Sequence, residues 1–330
     1  MIWDFLNCSE LLWYNIRMMK GTVVVTGGAG FIGSHLVDAL LARGHKVYAL
    51  DNLITGNEEN LAEAKKHPEF TFIKYDVINE LPVLGQIDYI YHLASPASVP
   101  DYQKYPEETA LVNTVGTRAL LKVAKAHGAT FLFTSTSEVY GDPKEHPQKE
   151  TYWGNVNPNG VRACYDESKR FGEMMTMLYM RTYGVDVRIA RIFNTYGPRM
   201  RPTDGRVISN FVNQALKGEP ITVYGDGKQT RSFCFISDMV EGLVSLMEKE
   251  LTKGEVVNIG NPEEYTMIDL AHKVKKMMGA TSEIVYTDLP LDDPMQRRPD
   301  ISKAKKLLSW EPKVSVDQGL EKTIAYYKAL

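Results

Sequence analysis

"GTVVVTGGAGFIGSHLVDALLARGHKVYALD", residues 21–51, settles the fold class. Val23, Val24 and Val25 form an unbroken apolar run, as suits a parallel strand buried on both faces. From Phe31 to Arg43 the apolar residues recur at helical spacing, and Gly44 then stops the helix. Val47 to Leu50 is the next strand. Gly27, Gly30 and Gly33 are spaced GxxGxxG in the first turn of this strand–helix–strand unit. Glycine there lets the backbone approach a pyrophosphate, to which the helix N-terminus offers N–H groups and a positive dipole. Asp51 closes the second strand 24 residues after Gly27, where a carboxylate can hydrogen-bond adenosine ribose hydroxyls. Its charge repels a 2′-phosphate, and Asn52 and Leu53 supply no arginine. NAD rather than NADP is therefore the expected cofactor.

Outward from that unit, further apolar runs follow: "FTFIKYD" (70–76), "IDYIYHLA" (87–94), "TFLFTST" (130–136) and "VDVRIARIF" (185–193). Helical patterns lie between several of them, including 107–127 and 165–183. This alternation predicts an α/β fold, a doubly wound parallel sheet of the Rossmann kind. After residue 194 the pattern breaks into short pieces rich in Pro and Gly, read as a smaller mixed C-terminal lobe covering the sheet's carboxyl edge. The expected division is 21–194 for the cofactor domain with the reactive residues and 195–330 mainly for substrate, some of its segments returning to the first domain.

Residues 1–20, "MIWDFLNCSELLWYNIRMMK", stand apart. Asp4, Glu10 and Arg17 interrupt them, so they lack the roughly 18 apolar residues of a membrane span. They also lack a basic start, an apolar run and a small-residue cleavage site. They are read as an optional extension, disordered or an amphipathic helix. In the 330-residue chain, 44% of residues are hydrophobic, 24% are charged and the net charge is −3, which suits an ordinary globular protein. No long basic run suggests nucleic acid. Cys8, Cys164 and Cys234 are scattered, without the spacing of a zinc site or disulfide framework, so reduced thiols in a cytoplasmic protein are expected and no metal.

Two stretches carry chemistry. "CYDESKR" places Tyr165 and Lys169 four residues apart, on one face of a helix. An ammonium near a phenol favours phenolate and lowers its pKa from the free value of about 10, giving a base for a hydroxyl proton. "TSTSEVYG" (134–141) follows an apolar strand with four hydroxyls, then a single acid, Glu138.

With the glycine loop, these stretches resemble the extended short-chain dehydrogenase/reductases that act on nucleotide sugars. Further stretches, among them "HLASPAS" (92–98), "YWGNVNP" (152–158), "RACYDESKR" (162–170), "YGDGKQTRSF" (224–233) and "DDPMQRRPDI" (292–301), resemble the UDP-glucuronate decarboxylases of that family. The resemblance runs from residue 21 to residue 330. It departs at Val99 and Val161, where proline is expected, and at Ser168, where glycine is expected.

What the resemblance implies is specific. The reaction is NAD-dependent decarboxylation of UDP-glucuronate to UDP-xylose and CO₂ through a UDP-4-keto sugar, with the cofactor regenerated in each turnover. Thr136, Glu138, Tyr165, Lys169 and Arg297 are the implied catalytic residues, Tyr165 taking the 4-hydroxyl proton. NAD would be held by Gly27, Gly30, Phe31, Ile32, Gly33, Asp51, Asn52, Asp76, Val77, Leu93, Ala94, Ser95, Asn113, Tyr165 and Lys169. Ser137, Asn194, Arg206, Tyr224, Arg231 and Arg297 would hold the nucleotide sugar. Related 4,6-dehydratases carry Asp-Glu where Ser137 and Glu138 stand, because their aspartic acid protonates a departing 6-hydroxyl. A glucuronate loses CO₂ instead, so a second acid is unnecessary and would repel the substrate. A homodimer through helices 107–127 and 165–183 is also implied, with Met174, Met175, Leu178 and Tyr179 as its apolar surface. Two other readings share these motifs: a UDP-glucuronate or UDP-glucose 4-epimerase, and a non-enzymatic NAD(H)-binding regulator. Such regulators commonly lose the Tyr–Lys pair, which this chain keeps.

Overall fold

The computed structural model describes residues 20–330, so the reading of the N-terminal extension, Lys20 aside, lies outside the described residues. Six strands occur in the order expected: β1 (Thr22–Thr26), β2 (Lys46–Asp51), β3 (Phe70–Lys74), β4 (Tyr89–His92), β5 (Thr130–Thr136) and β6 (Val187–Ile192). With Val256–Ile259 at one edge they form a seven-stranded sheet, ordered Val256–Ile259, β6, β5, β4, β1, β2, β3. Every neighbouring pair is parallel, which makes this a doubly wound Rossmann sheet. Val23, Val24 and Val25 are fully buried, and burying each contributes about 1.5–3 kcal/mol.

The first helix, Phe31–Ala42, buries Leu36, Val37 and Leu40 against this sheet. Gly27 has φ 70°, and a Cβ there would lie 2.8 Å from Ala94 N, so the turn after β1 tolerates only glycine. The long helix Ala163–Tyr183 lies close on β5 because it carries Gly172 at the contact; a Cβ there would stand 2.3 Å from the Phe133 ring.

The pattern over 107–127 is not one regular helix. Pro106–Leu111 and Thr117–His127 are joined by a π-helical turn, Val112–Gly116, and a short helix, Val99–Lys104, precedes them. Thr109, Thr114 and Thr117 each donate a 2.7 Å hydrogen bond to the carbonyl four residues back. Such back-bonding bends helices, and hydrophobic periodicity cannot reveal it.

After β6 the chain builds three small sheets. Thr195–Tyr196 pairs with Cys234–Phe235, Ile221–Tyr224 pairs with Ile284–Thr287, and Thr230–Ser232 lies between Glu264–Thr266 and Gln296–Arg297. Val256–Ile259 returns to the large sheet beside β6, and Ile236–Glu248 packs on the first helix. Among the described residues, no helix is long and apolar enough to cross a membrane.

Candidate active site

The strand order reverses between β1 and β4, and a cleft opens there outside the carboxyl ends of the strands. Gly27, Gly30, Phe31, Ile32 and Gly33 line it from the first turn, Asp51 and Asn52 from the end of β2, Asp76 and Val77 from beyond β3, and Leu93, Ala94 and Ser95 from beyond β4. The Asp51 carboxylate accepts from Ala29 N at 3.0 Å and Leu53 N at 2.8 Å, and burial raises its pKa. Asn52 donates to Asp76 at 3.0 Å. A Cβ at Gly30 would meet only Gly27 O, at 3.1 Å, so glycine leaves this side of the cleft open to a phosphate group. The cleft suits a dinucleotide in shape and chemistry.

Asn113, implied as a cofactor residue, is wholly buried beside the cleft wall, donating to Ser95 Oγ at 3.0 Å and Ser168 Oγ at 3.1 Å while its Oδ1 has no protein partner. Ser168, where glycine was expected, thus ties the Tyr–Lys turn to a cleft-lining residue.

Thr136, Ser137, Glu138, Tyr165 and Lys169 also line this cleft, so the structure brings together the residues taken from two distant stretches. Thr136 ends β5 and caps the 3₁₀ turn Ser137–Tyr140, accepting from Glu138 N. Lys169 Nζ donates to Thr134 O at 2.9 Å and lies 5.8 Å from the centre of the Tyr165 ring. The electrostatics differ from the simple expectation of a lysine-lowered phenol. Burial pushes Tyr165 up to about 12, while the Thr136 hydroxyl pulls it the other way. Burial likewise pulls Lys169 down to about 7, so its ammonium carries less than a full charge at neutral pH. The Tyr102 ring stacks on Tyr165, with centroids 5.2 Å apart and planes at 8°.

Beside the pair stands a buried ion network that the motifs only half disclosed. Arg297 binds both carboxylate oxygens of Glu138, one of them at 2.6 Å, and Arg162 binds Glu138 Oε2 at 2.6 Å. Burial tends to raise the Glu138 pKa, but the two guanidiniums outweigh it and hold the carboxyl well below the usual range. Arg162 also reaches Asp293 at 3.4 Å, and Arg231 binds Asp293 at 2.9 Å. Arg162 and Asp293 were not among the implied site residues, although both lie in the quoted stretches at 162–170 and 292–301. Neither has a short-range signal, because their partners are more than twenty residues away.

A second cavity adjoins the first, and Ala97, Ser98, Glu138, Asn194, Thr195 and Arg206 line both. Tyr224, Arg231 and Arg297 line the second alone, while Ser137 lines only the first. Tyr224 is 43% exposed at its rim, whereas Arg231 is buried and its pKa is pulled down to about 10 by that burial. Arg206 pairs loosely with Asp204 at 3.3 Å. The second cavity thus offers guanidinium groups to an anionic ligand and an aromatic ring at its edge. Among the described residues no cluster of His, Cys, Asp and Glu could hold a metal.

Residues 23–260 match the NAD dependent epimerase/dehydratase family. The chain is 55% identical to UDP-glucuronic acid decarboxylase 1 of Arabidopsis thaliana, over 93% of this chain and 69% of that protein. It is 52% identical to UDP-glucuronic acid decarboxylase 1 of Xenopus tropicalis, over 93% and 72%. Its fold is similar to that of UDP-glucuronic acid 4-epimerase from Bacillus cereus, solved in complex with UDP-glucuronic acid and NAD, with a TM-score of 0.86 and 32% identity over 93% of this chain and 99% of that one. A glycine-lined cleft at the β1/β4 reversal, a Tyr–Lys pair at its inner end and a match over residues 23–260 agree: the chain belongs to the NAD dependent epimerase/dehydratase family.

Proposed function

We propose that this enzyme decarboxylates UDP-glucuronate to UDP-xylose and CO₂, with NAD as a cofactor regenerated in each turnover. The observation that carries this reading is the 52–59% identity to UDP-glucuronic acid decarboxylases over nine-tenths of the chain. Two solved 4-epimerases of the same fold are 32–33% identical. The site supports it chemically. One carboxylate, Glu138, stands where the cavities meet, locked to two arginines, and its neighbour Ser137 is neutral.

When bound, NAD supplies an electron-pair acceptor at the sugar's C4 and returns the pair in the last step. Tyr165 Oη takes the C4 hydroxyl proton and later gives it back, with the Thr136 hydroxyl oriented beside it. Between these transfers the sugar is a β-keto acid: its C5–C6 bond breaks as CO₂ leaves, the electron pair is held as the C4 enolate, and a proton from water then reaches C5, so no acid is needed at C6. Glu138, held ionised, positions Arg297 rather than carrying protons. Arg231, Arg206, Asn194 and Tyr224 hold the nucleotide. In this reading residues 21–194 carry the cofactor and the reactive pair, and 195–330 mainly hold the nucleotide sugar.

In the same reading the protein is a cytoplasmic homodimer. Support for the dimer is an exposed apolar stripe of Val115, Phe171, Met174 and Leu178 on the two neighbouring helices. Of the residues first assigned to that surface, Met175 and Tyr179 instead pack toward the core. Support for the cytoplasm is compositional: Cys164 and Cys234 are free thiols. Product mass after incubation with UDP-glucuronate tests the activity. A UDP-pentose with released CO₂ is expected, and an isomer of unchanged mass would mean a 4-epimerase.

A further inference from the structure

Arg162 begins the helix that carries Tyr165 and Lys169, yet its side chain turns away from the cofactor cleft and lines only the second cavity. Its side chain is 6% exposed. It reaches Glu138 at 2.6 Å and Asp293 at 3.4 Å, and its guanidinium lies 6.0 Å from the Tyr102 ring, which stacks on Tyr165. A surface arginine has no need of such partners, and a buried one is costly unless its charge is used.

The charge count indicates that use. Glu138 and Arg297 alone form a neutral pair, and a substrate carboxylate beside them would meet the charge of Glu138 with nothing in excess to offset it. Adding Arg162 makes the trio net positive. Counting the adjoining pair of Arg231 and Asp293, three guanidiniums face two carboxylates. Asp166 stands nearby; burial and then the charge of Glu138 push its carboxyl up to about 7 against the pull of Arg162 and Arg297, so near neutral pH it carries only part of a charge and the excess stays positive. Arg297 Nε is buried without a partner, so this arginine keeps a donor free while it holds Glu138.

We propose that Arg162 is a specificity-determining positioning residue: by neutralising Glu138 it leaves Arg297 in positive excess, so that the sugar end of the site prefers a C6 carboxylate to a C6 hydroxymethyl group. This rests on the functional reading above and deepens it. Arg162 acts through Glu138 and Arg297, without contact to the reacting atoms. Removing one unit charge at about 6 Å from a bound carboxylate, at an effective dielectric near 20, corresponds to a loss of on the order of 10- to 100-fold in affinity. A sugar without the carboxylate escapes that loss.

The test is calorimetric titration of the NAD-loaded protein, carrying Tyr165→Phe throughout so that the ligand is not consumed, with UDP-glucuronate and with UDP-glucose, which share the nucleotide and differ at C6. Arg162→Met should weaken UDP-glucuronate by roughly 10- to 100-fold and UDP-glucose by no more than a few-fold. Arg162→Lys, which keeps the charge, should retain most of the preference. The double variant Glu138→Gln with Arg162→Met restores one positive excess and should recover the preference, even if the single methionine variant fails to fold because buried Glu138 then keeps only one of its two guanidiniums. Equal losses for both sugars in Arg162→Met, or a double variant without preference, would overturn the proposal. The functional reading fails separately, if the wild-type protein releases no CO₂ from UDP-glucuronate.

Discussion

Replacing Lys169 by methionine should make the protein more stable at neutral pH and nearly inactive. The ammonium is fully buried, and burial lowers its pKa from 10.5 to about 7. Each pKa unit is worth about 1.4 kcal/mol, so keeping this lysine costs on the order of 5 kcal/mol at low pH. The sign follows from proton counting. Between the folded value of about 7 and the unfolded value of 10.5, the unfolded chain holds a proton that the folded protein does not. Stability therefore rises with pH across that window, and the penalty falls to about 4 kcal/mol at pH 7 and about 2 kcal/mol at pH 9. Methionine keeps an unbranched apolar stem against Phe133 but leaves Thr134 O without the ammonium, a loss of about 1–3 kcal/mol at either pH. The net expectation is a variant about 2 kcal/mol more stable at pH 7, with roughly 2 kcal/mol of its advantage gone by pH 9. Urea denaturation of both proteins freed of NAD, at the two pH values, measures this directly, since a variant that holds NAD less tightly would lose stability by that route alone. A stability difference that does not change with pH would refute the reasoning, and so would a variant less stable at pH 7.

Tyr165→Phe should bind NAD as the wild type does, since the glycine turn is untouched, while UDP-glucuronate turnover falls by about 10²–10⁴-fold; single-turnover absorbance at the reduced nicotinamide band reads the step. Ser137→Asp should weaken UDP-glucuronate much more than UDP-glucose, because like charges about 5 Å apart at an effective dielectric near 20 cost about 3 kcal/mol; equal losses in calorimetry would make Ser137 a packing contact only. Met174→Glu, on an exposed position of the Ala163–Tyr183 helix, should halve the mass seen by light scattering at micromolar protein if that helix forms the dimer surface; a monomeric wild type would remove the premise.

The ion network limits what Glu138 can do. A carboxylate pinned by two buried guanidiniums stays ionised over the working pH range, so it is poorly suited to general acid–base exchange. What it can do is fix the plane of Arg297. Ser137 and Arg162 then become parts of one electrostatic arrangement, the first by adding no negative charge and the second by supplying a positive one.

Local patterns determined most of the fold. The valine run of β1, the helical spacing after it and the glycine turn are short-range features, and each has one physical reading that the parallel sheet requires. The Tyr165–Lys169 pair was legible for the same reason, since four residues on a helix set a common face whatever surrounds it. Long-range placement decided the rest. The π-helical turn at Asn113, accompanied by threonine back-bonding, leaves no trace in the apolar periodicity of 107–127. The pKa values of Tyr165 and Lys169 run against the pairwise expectation because burial is a property of the packed protein, not of sequence spacing. Arg162 and Asp293, 131 residues apart, meet only because the Thr230–Ser232 sheet folds the C-terminal lobe over the end of β5. Coulomb interaction depends on separation in space and on the surrounding dielectric, and neither exists until the chain has closed on itself.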